Sequence, residues 1–237
     1  MTVAAALAVS CSVFKKAYEY EEELWLSIDG SATVDVNASV AALVALRGAD
    51  LSLDPAVRPD REQVRAIFSG PEVEVGRPTF FTRGGRRFIH VRVEVDDIRR
   101  LERLAPFAWS SYRFERSGEG FVFRQVVGKP SGSGARDSGW RGDEIVAFRM
   151  HVPSKVLFEN ASSNVQRGNI LAWEQPLSER LAGNPIELHV EMEPDSILYA
   201  TLLLFAATIV AAAAVFAAAI WWLRRRGARA IRMDERV

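Results

Sequence analysis

The chain is short of several things, and each shortage removes a class of protein. One cysteine, Cys11, in 237 residues excludes an internal disulfide and any cysteine-based metal cluster. Histidine occurs only at His90, His151 and His189. No nucleophile elbow, Walker loop, dinucleotide fingerprint or HExxH motif is present. Net charge is missing too: 30 basic residues balance 30 acidic ones, so nothing marks a nucleic-acid partner. Lysine is confined to Lys15, Lys16, Lys129 and Lys155, and arginine supplies the remaining positive charge. The expectation is a protein with no catalytic residue, no cofactor and no metal.

What the chain has in plenty is one apolar run. Ile197 to Leu223 reads ILYATLLLFAATIVAAAAVFAAAIWWL, without charge or proline, its polar groups limited to Tyr199, Thr201 and Thr208. A bilayer core needs about 20 apolar residues in a helix, so this segment spans with residues left for tilt. Trp221 and Trp222 stand where an interfacial aromatic belt belongs, and Arg224, Arg225 and Arg226 follow directly. Basic flanks stay in the cytoplasm, which places residues 224–237 inside and everything before Ile197 outside the cell membrane. Alanines 207, 211, 214 and 218 give the small-residue spacing that lets helices approach closely.

At the other end, MTVAAALAVS precedes Cys11. An apolar stretch closed by a small residue before cysteine fits a lipoprotein signal peptide, with Cys11 as the lipidated residue. Residues 12–194 then form an extracytoplasmic domain. The loop 128–143, GKPSGSGARDSGWRGD, is rich in Gly and Ser and marks a candidate subdivision.

Within that domain the periodicity is mostly that of strands. Leu24, Leu26 and Ile28 alternate with polar residues, as do Ala32, Val34 and Val36, around an Asp29-Gly30 turn. Same-face pairing requires an odd loop, and a three-residue one sets Leu26 opposite Val34. A helix is expected from Ala38 to Arg47 with Asn37 as its cap, and another from Asp60 to Phe68. Thr79–Thr82 and Arg86–Val95 make a hairpin about Gly84-Gly85, with Ile89, Val91, Val93 and Val95 on one face. Asp96 to Leu104 is a short helix stopped by Pro106. A two-residue turn at Ser117-Gly118 pairs Arg116 with Glu119, Phe114 with Phe121 and Tyr112 with Phe123. Further strands are expected at Ile145–Phe158, Ile170–Trp173 and Ile186–Met192, the last separated from the span by Pro194–Ser196. The order of elements gives an α+β fold, an antiparallel β-rich domain with short helices and one C-terminal transmembrane helix.

Three sets of residues are candidates for function. Tyr112, Phe114, Phe121 and Phe123 could line a cavity for an acyl chain, or equally form plain core. Arg83, Arg86 and Arg87, and again Arg99, Arg100 and Arg103, could meet lipid headgroups or phosphate. His90 and His189 lie on polar strand faces beside Arg and Glu, where a metal site would need converging carboxylates.

From Met150 the chain reads MHVPSKVLFENASSNVQRGNILAWEQPL. The run resembles a segment of the LppM-like family of bacterial membrane-anchored lipoproteins, in which a strand ends in a Pro-small-Lys-Val turn, an Asn follows, and a Gly-Asn pair precedes a Trp-bearing strand. The matching residues are Pro153, Ser154, Lys155 and Val156, then Asn160, Gly168-Asn169 and Trp173, and Pro176-Leu177. The layout also agrees: a cysteine near the N-terminus, a β-rich domain, one C-terminal span with a basic stop. The resemblance implies an outward-facing α+β domain in the cell envelope that binds lipid or glycolipid and supplies no catalytic residue. The expectation is a non-enzymatic protein anchored by one span, binding a lipid or an envelope protein through a cavity rimmed by arginines and open toward the membrane. The alternative is a structural or assembly subunit of a membrane protein complex, with a filled core and an exposed apolar patch.

Overall fold

The computed structural model describes residues 16–54, 56–132, 139–162 and 169–234. The expected signal segment with Cys11, Gly168 and the middle of the 128–143 loop lie outside the described residues. The chain forms β1 (Ala17–Leu26), β2 (Ala32–Ser39), α1 (Val40–Arg47), α2 (Arg61–Phe68), β3 (Val73–Val75), β4 (Thr79–Arg83) and β5 (Arg86–Val95). Two 3₁₀ turns follow, Ile98–Arg103 and Ala105–Phe107. Then come β6 (Ser110–Ser117), β7 (Gly120–Val127), β8 (Glu144–His151), β9 (Ser154–Glu159), β10 (Ile170–Pro176), α3 (Leu177–Leu181), β11 (Ile186–Ser196) and α4 (Ile197–Asp234).

These strands make two sheets. The larger runs β10-β8-β1-β2-β5, with β3 and β4 sharing the far edge of β5; the smaller runs β6-β7-β11-β9. Their inner faces close on one core: Leu24, Val34, Val36, Val91 and Phe148 from the larger sheet, and Phe123, Leu188, Val190 and Met192 from the smaller. α1, α2 and the 3₁₀ turns add Leu43, Leu46, Phe68 and Phe107 to it. The fold is thus α+β with mostly antiparallel sheets.

Among the described residues one pair is parallel, β1 with β8. The reason is connectivity. β7 ends at Val127, level with the start of β11, and the following loop enters the larger sheet from that same end, where β1 also begins. β8 therefore has to run alongside β1 in the same direction, Ala17 opposite Glu144. The connection is long enough to cross from one sheet to the other, as a parallel pairing requires.

Two hairpins keep the expected faces but not the expected partners. The β1–β2 loop is odd, as same-face pairing demands, yet it holds residues 27–31 and pairs Leu26 with Ala32 and Leu24 with Val34. In the β6–β7 hairpin the turn sits one residue later, on Gly118-Glu119, where Gly118 adopts φ +59°. Ser117 pairs with Gly120, Phe114 with Phe123, and Tyr112 with Gln125. A shift of two residues leaves every side chain on its original face, but it brings Gln125 opposite Tyr112.

Other boundaries move for local reasons. β2 continues to Ser39, whose Oγ accepts the Ala42 N–H at 3.0 Å, so Ser39 rather than Asn37 caps α1. α1 ends at Gly48 with φ +66°, and Asp60 caps α2 through the Gln63 N–H at 2.9 Å. The run Ile145–Phe158 is two strands in different sheets. Pro153 cannot donate to a ladder, and the chain crosses there while Asn169 Nδ2 donates to the carbonyls of Val152 and Ser154, each at 3.2 Å. β11 runs through Pro194 to Ser196. It can do so because its ladder with β7 ends at Met192, so the missing N–H breaks no pair on that side. Helix α4 follows without a linker.

Candidate functional site

The strand directions give the domain two ends. β1 and β11 run the same way: Trp109, bonded to Gly128 beside the Val127–Ile186 pair at the start of β11, packs on Tyr20 early in β1, while Phe114, in line with Phe123 and Val190 further along β11, lies against Gly30 just past the end of β1. β11 leaves through α4, so the start of β1 lies at the end away from the helix. In α4, Thr201–Arg225 is long and apolar enough to cross a membrane. Its side chains from Thr201 to Arg225 are exposed, as a helix that spends its apolar surface on lipid or on another span would be.

Between the sheets lies a closed polar cluster. Glu22 is on the same face of β1 as Tyr20 and Leu24 and is buried with them. Its carboxylate accepts hydrogen bonds from Tyr20 Oη (2.8 Å), Gln125 Nε2 (2.9 Å) and Tyr112 Oη (3.3 Å), and from the Arg47 guanidinium. Arg47 also donates to the Pro106 carbonyl and lies 4.0 Å from the Trp109 ring centre. Arg180, from α3, donates to the Val127 carbonyl at 3.2 Å and to the Gly128 carbonyl, and lies 5.2 Å from the same ring. Burial pushes the Glu22 carboxyl up to about 7 against the pull of its donors, and brings Arg47 down to about 9. Burial and the neighbouring Glu22 raise the Tyr112 phenol. The Glu22 carboxylate is fully paired and shut off from solvent, while Arg180 Nε and Trp109 Nε1 find no partner among the described residues, and the cluster fixes how the sheets meet.

The outer face of the larger sheet carries paired charges. Arg92 holds Asp35 through two bonds of 2.8 and 2.7 Å, and Arg149 reaches Glu21 at 2.5 Å. His90 lies 3.5 Å from Asp35. His151 lies 2.6 Å from Glu23 and stacks on Trp25. His189, on the smaller sheet, faces Glu191 at 3.4 Å. Among the described residues no group of three His, Cys, Asp or Glu side chains is arranged to hold a metal.

A cavity of about 470 Å³ opens at the end of the domain where β1 starts. Tyr18 and Phe88 give it aromatic walls, and Lys16, Arg83, Arg86 and Arg141 line it with positive charge. Arg83 lies 4.1 Å from the Phe88 ring centre, and Phe81 stacks on the same ring at 5.3 Å. The β4–β5 turn aims Arg83 and Arg86 here because its two glycines, Gly84 (φ +57°) and Gly85 (φ +78°), reverse the chain in the left-handed region. Arg86 is held between Glu19 and Glu144, at 3.1 Å from the latter. Burial works to raise the Glu144 carboxyl, but the N–H groups of Arg141 (2.7 Å) and Gly142 (2.8 Å) outweigh it and keep it below its ordinary value. Four basic side chains thus face three carboxylates, Glu19, Asp143 and Glu144. Lys16 is bonded to Glu174 at 2.5 Å, Arg83 donates to the Tyr18 carbonyl and lies 3.7 Å from Glu21, and Arg141 is exposed.

Of the residues singled out from sequence, Tyr112, Phe114 and Phe123 are core, and Phe121 stacks on Phe114 at 5.2 Å. Among the arginines, Arg83 and Arg86 come together in the cavity. Arg87 instead ties the Asp54 and Val57 carbonyls, Arg99 pairs with Asp97 at 2.7 Å, Arg100 pairs with Glu72, and Arg103 borders a separate hollow beside α2. The motif residues are structural. Trp173 is buried and donates from Nε1 to Asn160 Oδ1 at 2.9 Å. That oxygen also accepts the His189 N–H at 2.9 Å, while Asn160 Nδ2 donates to the Glu187 carbonyl at 3.0 Å. Asn160 therefore clasps β10 to β11. Lys155 reaches Glu193 at 2.7 Å. Pattern reading missed Glu22 and Arg47, although Glu22 shares the parity of Tyr20, Leu24 and Leu26.

The class these features define is a two-sheet α+β domain followed directly by one apolar helix. No protein-family model matches the chain, and no curated protein matches it significantly. Among solved structures it is similar to the folded domain of the LppM protein of Mycobacterium tuberculosis, at 12% identity and a TM-score of 0.40, over 77% of this chain and 94% of that one. The relationship is a distant structural one.

Proposed function

We propose that this is a single-span membrane protein whose outward-facing domain binds an anionic amphiphile, a lipid or glycolipid headgroup with part of its chain, and performs no catalysis. The observation that carries the reading is the cavity at the start of β1. Its volume of about 470 Å³ is that of a small-ligand site, and aromatic walls with a few placed charges are what such sites use. Lys16, Arg83 and Arg141 meet an anionic head, with Arg83 already oriented by its packing on Phe88. Phe88 and Tyr18 receive the first methylenes.

The test is titration of the full chain in detergent micelles with a soluble alkyl phosphate, followed by calorimetry. Saturable binding is expected, weakened about tenfold or more by Arg83→Ala, since losing a hydrogen bond to a charged group removes about 1.5–3 kcal/mol. The affinity should fall as salt rises. Equal binding by wild type and Arg83→Ala would sink the assignment of the cavity.

Orientation rests on Arg224, Arg225 and Arg226 after the span. A phosphatase or fluorescent-protein reporter fused after Val237 should report the cytoplasm; a reporter active outside the membrane would reverse the topology.

A further inference from the structure

The smaller sheet ends in an edge strand, β9, which carries the apolar side chains Leu157 (59% exposed) and Phe158 (48% exposed). Alternation would turn one of two neighbours into the core. A bulge prevents it here: Phe158 pairs with Glu191 and Val156 with Met192, so Leu157 is an extra residue with no opposite number. Val156 packs on the core, and Phe158 packs near the His189 ring, 5.0 Å between centres. Bulges at sheet edges re-aim side chains, and this one turns a leucine outward beside a phenylalanine on a strand whose outer edge pairs with no other strand among the described residues. Such an edge needs a cover.

We infer that this edge rests on the bilayer surface that α4 enters, so that the domain reclines on β9 instead of standing on α4. The inference deepens the membrane-anchored reading and rests on it. Continuity of the chain supplies the occupant. Ser154 on β9 pairs with Ser196, the last residue of β11, and α4 begins at the next residue. The start of β9 is therefore held one strand spacing, about 4.8 Å, from the point of entry. With β11 upright, the bulge opposite Glu191 stands roughly 16 Å above Ser196, at about 3.3 Å per residue. That is clear of a headgroup layer about 5–8 Å deep. Tilting the domain toward β9 lowers Leu157 and Phe158 into that layer, where leucine and phenylalanine side chains settle, and Lys155 comes with them to meet phosphate.

The posture has a consequence for the far end. Five Cα steps lead from Cys11 to Lys16 and span at most about 17 Å. In an upright domain the start of β1 stands roughly 40 Å from the membrane by strand length, so an acyl group on Cys11 and the α4 span share one bilayer only when the domain reclines. The cavity at that end then opens beside the headgroups as well.

The experiment places the photo-crosslinker p-benzoyl-phenylalanine at Leu157 or at Phe158 in the full chain, in phospholipid vesicles, with matching positions at Tyr199 and at Arg124 on the outer face of β7. Illumination should add the mass of one phospholipid at 157, 158 and 199, and none at 124. Crosslinks from 157 and 158 to protein, or no crosslink there while 199 labels lipid, overturn the reclining posture and leave the span intact. Failure at 199 as well removes the membrane reading itself.

Discussion

Arg47→Met is expected to cost the domain about 3–5 kcal/mol of folding stability, because it leaves the buried Glu22 carboxylate without its cation. Against a total of about 5–15 kcal/mol for an ordinary domain, that brings unfolding within reach of mild heating. The loss should depend on pH in a defined sense. Without Arg47, burial acts on Glu22 against neutral donors only, and its carboxyl is already raised to about 7 from an ordinary 4.5. A raised acid binds its proton in the folded state where the unfolded chain has released it. The stabilisation is complete below about 4.5 and is lost as pH rises through 7. The variant should therefore recover stability relative to wild type at pH 5 and be weakest at pH 8. Adding Glu22→Gln should restore most of the loss and remove the pH dependence, since the amide keeps hydrogen-bond partners in Tyr20, Tyr112 and Gln125. Urea titrations of the chain in micelles at the two pH values, followed by tryptophan fluorescence, measure both effects. A variant equally weakened at pH 5 and pH 8 would show that the guanidinium acts through packing on Trp109, not through charge.

Trp173→Ala should have an effect of similar size, about 3–5 kcal/mol. The indole sits opposite Phe148 of β8 and is the largest fully buried side chain among the described residues. It also holds Asn160, which accepts from His189 N–H and donates to Glu187. The damage should be directional. Removing the indole frees Asn160, so β9 and the middle of β11 should lose hydrogen-exchange protection before β2 and β5 do. Trp173→Phe keeps most of the volume and loses the N–H, and should cost only about 1 kcal/mol because Asn160 Oδ1 still accepts from His189. Loss of protection spread evenly over both sheets would contradict this placement of Asn160.

Side-chain parity was legible in the sequence, and partnership was not. Alternation in Arg86–Val95 put Ile89, Val91, Val93 and Val95 inside, as found, because burial on one face of a strand needs no knowledge of what lies opposite. The β6–β7 register slipped by two residues because matching Arg116 to Glu119 and phenylalanine to phenylalanine weighs local pairs. The actual turn is set by Gly118 and by what the other sheet requires of Gln125, namely a hydrogen bond to Glu22. The same blindness hid Arg47: a last-turn arginine ordinarily faces water, and only tertiary packing decides that this one lies over Trp109. Ile145–Phe158 read as one strand because both halves are apolar, while the crossing at Pro153 belongs to a second sheet that no local pattern reveals. The cavity was legible in part. Arg83 and Arg86 beside a glycine turn could be named, but Lys16 and Tyr18 on one side and Arg141 on the other reach it from two other parts of the chain. The span and its basic flank needed only composition and length.

The central claim is that the cavity at the start of β1 holds an anionic amphiphile. The most direct test is native mass spectrometry of the full chain released from nanodiscs containing anionic and zwitterionic lipids. The account predicts one retained anionic lipid per chain, lost when Arg83 and Arg141 are both replaced by alanine and kept when Arg99 and Arg103 are. A chain that emerges without lipid, or whose lipid adduct is indifferent to Arg83 and Arg141, would contradict it.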